Sequence, residues 1–495
     1  MNFQEYTQYD AMGLAELIKK GEVSAKEVLQ SAIDRANLLN PNLNAIIHRF
    51  DEKALANANQ LPNGVFTGVP YLLKDLLYEY AGEPLKMGSR SINVTPTKDN
   101  EIVKRMKATG VNTFGKTNTP EFGLIITTEP KSFGATHNPH KHGYSTGGSS
   151  GGSACVVASG IVPMAGGGDG GGSIRFPASW CGVFGLKPTS GRTPLSSVLG
   201  EDWNGAVANH VITRSVRDSA LMLDAISGRE IGSPYVIGDS GNHSFYHASQ
   251  TAPKPLRIAL HKKPLITNTE IHPDVMATLE QTAKRLADMG HIVEEADPNI
   301  DIHRMWQDFL YVVASHTAHT IDDIARTHGK QHINNLEPQT YNIAMLGRSL
   351  SAVDLLNAKQ GWQSVRYHTD VLLSQYDVIL CPTVPTPAVP LGILPPKAFD
   401  ETMMKVSNPF KLGKLLLKSG MVEKLSHPVQ SKMAFTMLAN ITGMPAMSVP
   451  LGMSGDGLPI GMQFIARLND EATLYSLAGQ MERAGWFTDL SGLLS

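Results

Sequence analysis

The apolar and polar residues of the chain follow two kinds of pattern, each confined to its own segments. In the first kind, apolar residues recur every three or four positions behind a polar capping residue, as they do after residues 24–27 (SAKE) and 215–218 (SVRD). This pattern is typical of an amphipathic helix. In the second kind, several apolar residues follow one another, as at residues 378–382 (VILCP), which indicates a buried strand. Because the two kinds alternate throughout, we expect an α/β protein whose sheet is covered by helices on both faces.

The same pattern predicts where individual elements begin and end. The predicted helices cover residues 10–20, 24–40, 51–60, 100–109, 215–226, 272–289, 302–327, 351–376 and 470–484, and Asn40-Pro41 should stop the second of them. The predicted strands cover residues 44–50, 68–76, 111–115, 181–187, 256–260, 291–295, 378–382, 445–450 and 459–466. A short helix should follow residues 117–121, and residues 328–350 should be less regular. Length alone would suggest about three domains, but no linker or repeat divides the chain, so we expect one large domain.

The most unusual segment covers residues 147–177 (GGSSGGSACVVASGIVPMAGGGDGGGSIRFP). We predict two glycine-rich loops, residues 147–154 and 166–175, joined by an apolar passage that would be buried. A flexible linker would not carry such an apolar interior. A buried loop rich in glycine usually lets a ligand approach its backbone closely. A phosphate group and a carbonyl oxygen are both candidates for that ligand.

Composition narrows the classes of partner and compartment. The formal net charge is −2, which gives no reason to expect a nucleic acid as partner. Cys155, Cys181 and Cys381 lie in apolar surroundings without CxxC spacing, which argues against disulfides or a zinc site and favours a reducing, cytoplasmic compartment. The first ten residues lack the basic and apolar regions of a secretory signal, and no apolar run approaches the ~20 residues that a transmembrane helix needs.

Two further segments allow more than one interpretation. Residues 397–424 place lysines and leucines at helical spacing, as a membrane-surface helix would. A helix packed over the core, as a cap with its lysines in water, is the commoner structure, so membrane contact is not expected. His137, His140 and His142 could be metal ligands, but the intervening Pro139 and the lack of an acidic partner favour histidines that line a cleft.

The glycine-rich loops suit acyl transfer better than phosphate binding. A phosphate loop needs a lysine after its second glycine, and a dinucleotide fingerprint needs an acidic residue about 20 positions later. Neither pattern occurs here, and Asp169 within the second loop would repel phosphate. Acyl transfer needs a hydroxyl nucleophile, a base and N–H donors for an oxyanion. Ser173 follows three glycines, and Lys74 ends an apolar run, where an ammonium group is costly unless it is paired, neutral or able to reach solvent.

These segments resemble the amidase signature family. The motifs that carry the resemblance are GGSSGGSA at residues 147–154, GGSIRFPASWCGVFGLKPT at 171–189, GVPYLLKD at 68–75, GKTNTPE at 115–121, GATHNP at 134–139, NITGMPA at 440–446 and LPIGMQ at 458–463. The resemblance covers essentially the whole chain. It implies one amidase signature domain over residues 1–495, with a central mixed, twisted β-sheet and a catalytic core at about 68–190. Within the family, residues 68–76, 115–121, 127–130 and 134–136 look most like the 6-aminohexanoate cyclic-dimer hydrolase branch.

The resemblance implies a Ser–cis-Ser–Lys triad. On the matching positions, Ser173 is the nucleophile, Ser149 is the middle serine behind a cis peptide bond after Gly148, and Lys74 is the base. Burial would keep Lys74 neutral, so that it accepts the proton that Ser149 relays from Ser173. The implied oxyanion donors are the N–H groups of Gly170, Gly171, Gly172 and Ser173, and the implied substrate contacts are Gly123 and Ser149. The family chemistry requires no cofactor and no metal.

One position departs from the family pattern. Many members carry a larger residue where this chain has Gly170, so we expect a more mobile loop and a wider mouth, with Asp169 ordering the loop through Arg175. Trp306, Phe309 and Tyr311 could form an apolar acyl pocket or belong to the core. Segments at 123–128 and 137–144 and the helices after Ile302 should face the substrate.

The expected function is hydrolysis of a linear or cyclic carboxylic amide through an acyl-enzyme, with a small-molecule substrate and a homodimer left open. The first alternative is the amidase subunit of a tRNA-dependent amidotransferase complex. A second is a binding protein that keeps the fold without the activity. A third, a cysteine hydrolase built on Cys181, lacks a nearby base.

Overall fold

The computed structural model describes residues 1–195, 200–235, 237, 244–394 and 427–494, and one sheet organises them. Its eleven strands are β1 (Ile46–Arg49), β2 (Pro70–Lys74), β3 (Asn112–Thr117), β4 (Met164–Asp169), β5 (Phe184–Lys187), β6 (Ala208–Thr213), β7 (Arg257–Leu260), β8 (Ile292–Glu295), β9 (Val378–Pro382), β10 (Ala446–Met453) and β11 (Pro459–Ala466). Their spatial order is β1-β3-β2-β4-β6-β5-β10-β11-β9-β7-β8. β2 is parallel to β3 and β4, whereas β4–β6 and β10–β11 are antiparallel pairs. The expected mixed sheet in a single α/β domain is confirmed.

Helices precede and follow the strands along the chain. The described helices are α1 (Phe3–Thr7), α2 (Ala11–Lys20), α3 (Ala25–Leu43), α4 (Asp51–Asn57), α5 (Glu101–Ala108), α6 (Gly151–Ala158), α7 (Arg175–Cys181), α8 (Val216–Ile226), α9 (Phe245–Gln250), α10 (Pro273–Asp288), α11 (Ile302–Thr327), α12 (Pro338–Ser349), α13 (Ala352–Leu373), α14 (Met437–Thr442), α15 (Glu471–Arg483) and α16 (Ser491–Leu494). Short 3-10 helices cover Glu121–Gly123, Trp203–Gly205, Lys330–Ile333 and Ser431–Met433. None of these described helices has the length and apolar character needed to cross a membrane.

Both faces of the sheet are buried under helices. Successive residues of a strand point to opposite faces. In β9, Val378 and Leu380 pack in a cluster with residues of α10 and α15, whereas Ile379 and Cys381 pack in a second cluster with residues of α11 and α13. The prediction of a sheet covered on both faces is therefore confirmed.

Helix α3 continues past Pro41, where the sequence predicted its end. The helix reaches Leu43 because other groups stabilise its last turn. The Asn44 N–H donates to Asn40 O at 2.8 Å, and the Asn40 side chain accepts from the N–H groups of Ala45 and Ile46. A proline near a helix end costs only one internal hydrogen bond, and these contacts compensate for it.

The glycine-rich segment contains more regular structure than the predicted pair of loops. It forms α6, β4 and α7 in succession, and β4 pairs with β6 along its whole length. Its glycines allow neighbouring groups to approach. A methyl group built on Gly167 would lie 2.9 Å from Ile174 Cγ1, and one on Gly168 would lie 3.0 Å from Leu77 Cδ1. Residues 164–169 therefore form a strand because they pair with β6 and pack closely against side chains from other segments. The local sequence pattern does not reveal these contacts.

Three other predictions differ from the structure or lie beyond it. Helix α12 occupies the passage that we expected to be less regular. The strand predicted from residue 181 begins at Phe184, because Cys181 ends α7 and Gly182 then adopts a φ of 72°. The predicted helical insert at residues 397–424 lies outside the described residues.

Candidate active site

Lys74 is the last residue of β2 and is buried between β3 and β4, with 1% of its surface exposed. Its Nζ lies 2.8 Å from Ser149 Oγ and 3.2 Å from the carbonyl oxygen of Gly168. Because the side chain is buried, the alternative in which the Lys74 amine reaches solvent is wrong. Burial lowers the pKa of Lys74 to about 7, although the negative charge of Asp169 acts in the opposite direction. Much of the amine is therefore neutral near pH 7 and able to accept a proton.

Ser149 lies two residues before the start of α6, and the expected cis peptide bond joins it to Gly148. A methyl group on Gly148 would lie 2.8 Å from Thr127 N and 2.9 Å from Ile126 C. The backbone of that neighbouring loop therefore leaves room only for glycine. Gly123, an expected substrate contact, lies beside Ser149, because a methyl group built on it would be 2.9 Å from Ser149 Oγ.

Ser173 lies in the connection between β4 and α7 and is half-buried. Its carbonyl oxygen accepts a hydrogen bond from the Ser150 N–H at 3.2 Å, which joins the two serine-bearing segments directly. In the part of the chain that the structure describes, the Ser173 hydroxyl has no hydrogen-bond partner. The structure thus places Lys74 against Ser149 and leaves the Ser173 hydroxyl available to a substrate.

A buried ion pair orders the segment that carries Ser173. Asp169 accepts hydrogen bonds from Arg175 Nε at 3.0 Å and Nη2 at 2.9 Å, and from the Ile174 N–H at 3.1 Å. Burial alone would raise the pKa of the Asp169 carboxyl, but the Arg175 guanidinium outweighs it and holds that pKa well below its usual range. The expected ordering of the loop by Asp169 and Arg175 is present in the structure.

Residues near the C-terminus complete this network. Arg175 Nη1 donates to Thr436 O at 2.8 Å and to Gln463 Oε1 at 2.5 Å, and Asn440 Nδ2 donates to Asp169 Oδ1 at 2.8 Å. Asn440 and Gln463 belong to the C-terminal motifs quoted above, but sequence reasoning gave them no role. Their place in the motifs was the only available signal, because the contacts join residues more than 260 positions apart.

The four expected oxyanion donors are not equivalent. The Gly172 N–H donates to Asp169 Oδ1 at 2.7 Å and is therefore engaged within the protein. The N–H groups of Gly170, Gly171 and Ser173 have no hydrogen-bond partner among the described residues. Gly172 is still required as glycine, because its φ is +127° and a methyl group there would lie 2.5 Å from Thr436 Oγ1. The sequence could not separate these donors, because a glycine carries no sign of what its N–H contacts.

Apolar side chains cover the two glycines before Gly172. A methyl group on Gly170 would lie 3.0 Å from Trp203 Cε3, and one on Gly171 would lie 2.7 Å from Met433 Cε and 3.2 Å from Phe309 Cζ. The expected widening of the mouth at Gly170 is therefore wrong, because the Trp203 indole fills that space. Trp203 lies outside every motif that sequence reasoning used, and nothing in the local pattern singled it out.

The remaining candidates are the aromatic residues of α11 and the loop histidines. Phe309 is buried, whereas Trp306 and Tyr311 are half-buried at the edge of the same apolar cluster. His137 and His142 stack on each other with ring centroids 3.9 Å apart, and His140 Nε2 lies 2.9 Å from Cys181 O. Within the described ranges, no group of three or more His, Cys, Asp or Glu residues is arranged to hold a metal ion.

Comparison with known proteins gives consistent results. The family model named amidase matches residues 27–475. The 6-aminohexanoate-cyclic-dimer hydrolase of Pseudomonas sp. (strain NK87) is 34% identical and covers 96% of this chain and 94% of its own length. A solved 6-aminohexanoate cyclic dimer hydrolase, complexed with substrate, superposes with a TM-score of 0.87 at 30% identity, over 99% of this chain and 100% of its own. A bacterial aryl acylamidase of the amidase signature family superposes with a TM-score of 0.85 at 25% identity, over 98% of each chain.

Proposed function

The chain belongs to the amidase signature family, and we propose that it hydrolyses carboxylic amides through an ester intermediate on Ser173. The observation that carries the proposal is the contact between Lys74 and Ser149, in which a buried amine lies 2.8 Å from a hydroxyl. Another buried lysine, Lys116, is paired with the Asp75 carboxylate and donates to Pro84 O. Lys74 has no carboxylate among its hydrogen-bond partners in the described residues, and its neutral form is favoured by burial.

Acylation begins when the substrate carbonyl carbon lies against Ser173 Oγ. Lys74 Nζ accepts the Ser149 proton while Ser149 Oγ accepts the Ser173 proton, and Ser173 Oγ forms a bond to the carbonyl carbon. The negative charge of Asp169 favours the ammonium form of Lys74 that results. The carbonyl oxygen becomes an oxyanion, which the N–H groups of Gly170, Gly171 and Ser173 stabilise.

Collapse of the tetrahedral intermediate breaks the carbon–nitrogen bond. The proton held by Lys74 returns through Ser149 to the departing nitrogen, so that the amine leaves neutral and the acyl group stays on Ser173. Water then adds to the ester, with its proton passing along the same relay. The bond between Ser173 Oγ and the acyl carbon breaks, and the carboxylic acid is released.

The surroundings of the glycines favour an uncharged, apolar acyl group. Trp203, Phe309 and Met433 present carbon atoms to Gly170 and Gly171, and burying a charge against such a wall without a partner is costly. Relatives named as cyclic-dimer hydrolases make cyclic diamides a class to test beside linear amides. We therefore propose a small, neutral amide, linear or cyclic, as the substrate, and a chain that acts without nucleic acid.

A fluorophosphonate tests the proposal, because it reacts with activated serines. Mass spectrometry of the digested protein should find the adduct on Ser173 and none on Ser149 or Ser150. Folded protein that forms no adduct on Ser173 would contradict the proposal. A panel of acetamide, aryl amides, amino-acid amides, long-chain amides and cyclic diamides then identifies the substrate class. Labelling of Ser173 with uniform inactivity on the panel would favour the amidotransferase-subunit alternative and a search for a co-purifying partner.

A further inference from the structure

The indole of Trp203 and a side chain at position 170 would compete for the same space. A methyl group built on Gly170 would lie 3.0 Å from Trp203 Cε3, 3.1 Å from Trp203 Cζ3 and 3.2 Å from Val207 Cγ2. These separations are shorter than normal carbon contacts, so one group must move if both are present. The indole can therefore occupy its place only because position 170 is a glycine.

A rigid turn holds Trp203 in this position. Trp203 begins a short 3-10 helix, and its N–H donates to Asp202 Oδ1 at 2.8 Å. Trp203 and Asn204 have φ values of 45° and 54°, a conformation that side-chain-bearing residues adopt only where surrounding contacts enforce it. Asn440 Nδ2 donates to Ala206 O at 3.0 Å and also to the Asp169 carboxylate at 2.8 Å. One amide thus links the tryptophan turn to the carboxylate that orders the Ser173 segment.

Residues of helix α11 also contact the tryptophan turn. The rings of Trp203 and Phe309 pack edge to face with centroids 6.4 Å apart, and His316 Nδ1 lies 3.4 Å from Asp202 Oδ1. Phe309 and Met433 are buried, whereas Trp203 is half-buried, as Ser173 is. Among the described side chains that lie against the two glycines, Trp203 is the one that is partly exposed, and Gly170, which it covers, lies three residues before Ser173.

We propose that Trp203 determines acyl specificity by limiting the width of the group attached to the scissile carbonyl carbon, an inference that rests on the proposed amidase function. A carbonyl oxygen held by the N–H groups of Gly170 and Gly171 places the neighbouring acyl carbon close to Gly170. The indole closes the space there with a flat apolar surface. An unbranched, uncharged acyl chain fits along this surface, whereas branching next to the carbonyl carbon collides with it.

Truncation of the indole tests the proposal. The substrates are the para-nitroanilides of butyric acid and pivalic acid, which share a leaving group and differ in branching next to the carbonyl carbon. If the amide panel selects another amine, the same two acyl groups are joined to that amine. Trp203→Ala should raise the ratio of kcat/KM for the branched over the unbranched substrate by at least about tenfold, with Trp203→Phe intermediate. A change of less than about threefold in both variants would overturn the proposal.

Trp486→Ala is the matched control. Trp486 is also half-buried, but it packs against the Arg285 guanidinium at 3.9 Å and belongs to the cluster on the other face of the sheet. Its truncation removes the same atoms and should leave the substrate ratio unchanged. A ratio that moves equally in Trp486→Ala and Trp203→Ala would show a general loss of packing and would overturn the assignment.

A double-mutant cycle tests the shared space itself. Gly170→Ala in the natural background should lower kcat/KM for the unbranched substrate by at least about tenfold, because the new methyl group displaces the indole or the oxyanion glycines. In the Trp203→Ala background, and to a lesser degree in Trp203→Phe, the same change should cost much less. Equal costs in all backgrounds would overturn the proposal.

Fluorophosphonate titration of each folded variant separates the role of Trp203 from the amidase function on which it rests. Absence of Ser173 labelling in the unmodified enzyme contradicts the amidase function. Full labelling with an unchanged substrate ratio contradicts only the role of Trp203.

Discussion

Lys74 should control the pH dependence of the reaction at Ser173. Burial lowers the pKa of Lys74 from 10.5 to about 7. At the unshifted value roughly three amines in ten thousand are neutral at pH 7, whereas at about 7 roughly half of them are. Burial therefore increases the population of the active base about a thousandfold at neutral pH. The rate of Ser173 acylation should follow this population.

The assay is the second-order rate constant for fluorophosphonate labelling of Ser173, measured between about pH 5.5 and 9.5. In the unmodified protein, the rate should rise about tenfold per pH unit below about pH 7 and then level off, since Lys74 is the group that titrates. Lys74→Met keeps an unbranched side chain that is one atom shorter and removes the base. We expect a loss of about a hundredfold to ten-thousandfold at neutral pH.

The deficit of Lys74→Met should itself depend on pH. Below about pH 7 both rates fall together, and above it only the rate of the variant keeps rising with hydroxide, so the deficit should shrink about tenfold per unit. Lys187→Met is the matched control. Burial also lowers the pKa of Lys187 to about 7, but its Nζ lies 2.8 Å from Pro188 O. That variant should keep the inflection. A deficit of Lys74→Met that is constant over the whole range, or an inflection lost in Lys187→Met instead, would refute the role of Lys74.

Three further experiments test the relay, the ordering of the Ser173 segment and the start of α12. Ser149→Ala should slow Ser173 labelling about a hundredfold to ten-thousandfold because the relay is broken. The control Ser150→Ala, which loses a contact with Gly168 O, should retain most of the rate. Similar losses of rate in both variants would contradict a relay. Asp169→Asn leaves the buried Arg175 guanidinium without a charged partner, so urea unfolding should show a free energy of unfolding lower by about 3–5 kcal/mol, and a change below about 1 kcal/mol would contradict the ordering role. Glu121→Gln weakens the acceptor of the Glu337 N–H at the start of α12. Hydrogen exchange of that amide should therefore accelerate about tenfold, while the exchange of the β10 amides stays unchanged. Equal acceleration in both would indicate global destabilisation and would contradict this local role of Glu121.

The elements with strong local patterns were predictable from the sequence. The predicted bounds of α11, β9 and β11 agree with the structure, because each combines a consistent apolar period with a clear capping or turn residue. Strand β4 was not predictable, because three of its six residues are glycine and its conformation depends on pairing with β2 and β6. The continuation of α3 beyond Pro41 likewise depends on the side chain of Asn40, which the helical pattern does not include.

The candidate site likewise contains residues that motifs revealed and contacts that only the structure revealed. The residues of the proposed triad could be named from the sequence because they lie in motifs that resemble one family. The engagement of the Gly172 N–H by Asp169, and the position of Trp203 over Gly170, depend on three-dimensional contacts that no motif encodes. Asn440 was visible in a motif, but its link between Asp169 and Ala206 required the structure.

Trapping the intermediate tests the central claim most directly. The enzyme is mixed with an anilide that it hydrolyses, quenched in acid within the first turnovers, digested and analysed by mass spectrometry. We predict an acyl adduct on the peptide that contains Ser173, and with added hydroxylamine we predict hydroxamate in place of part of the carboxylic acid. Active enzyme that yields neither the adduct nor hydroxamate would contradict an ester intermediate on Ser173.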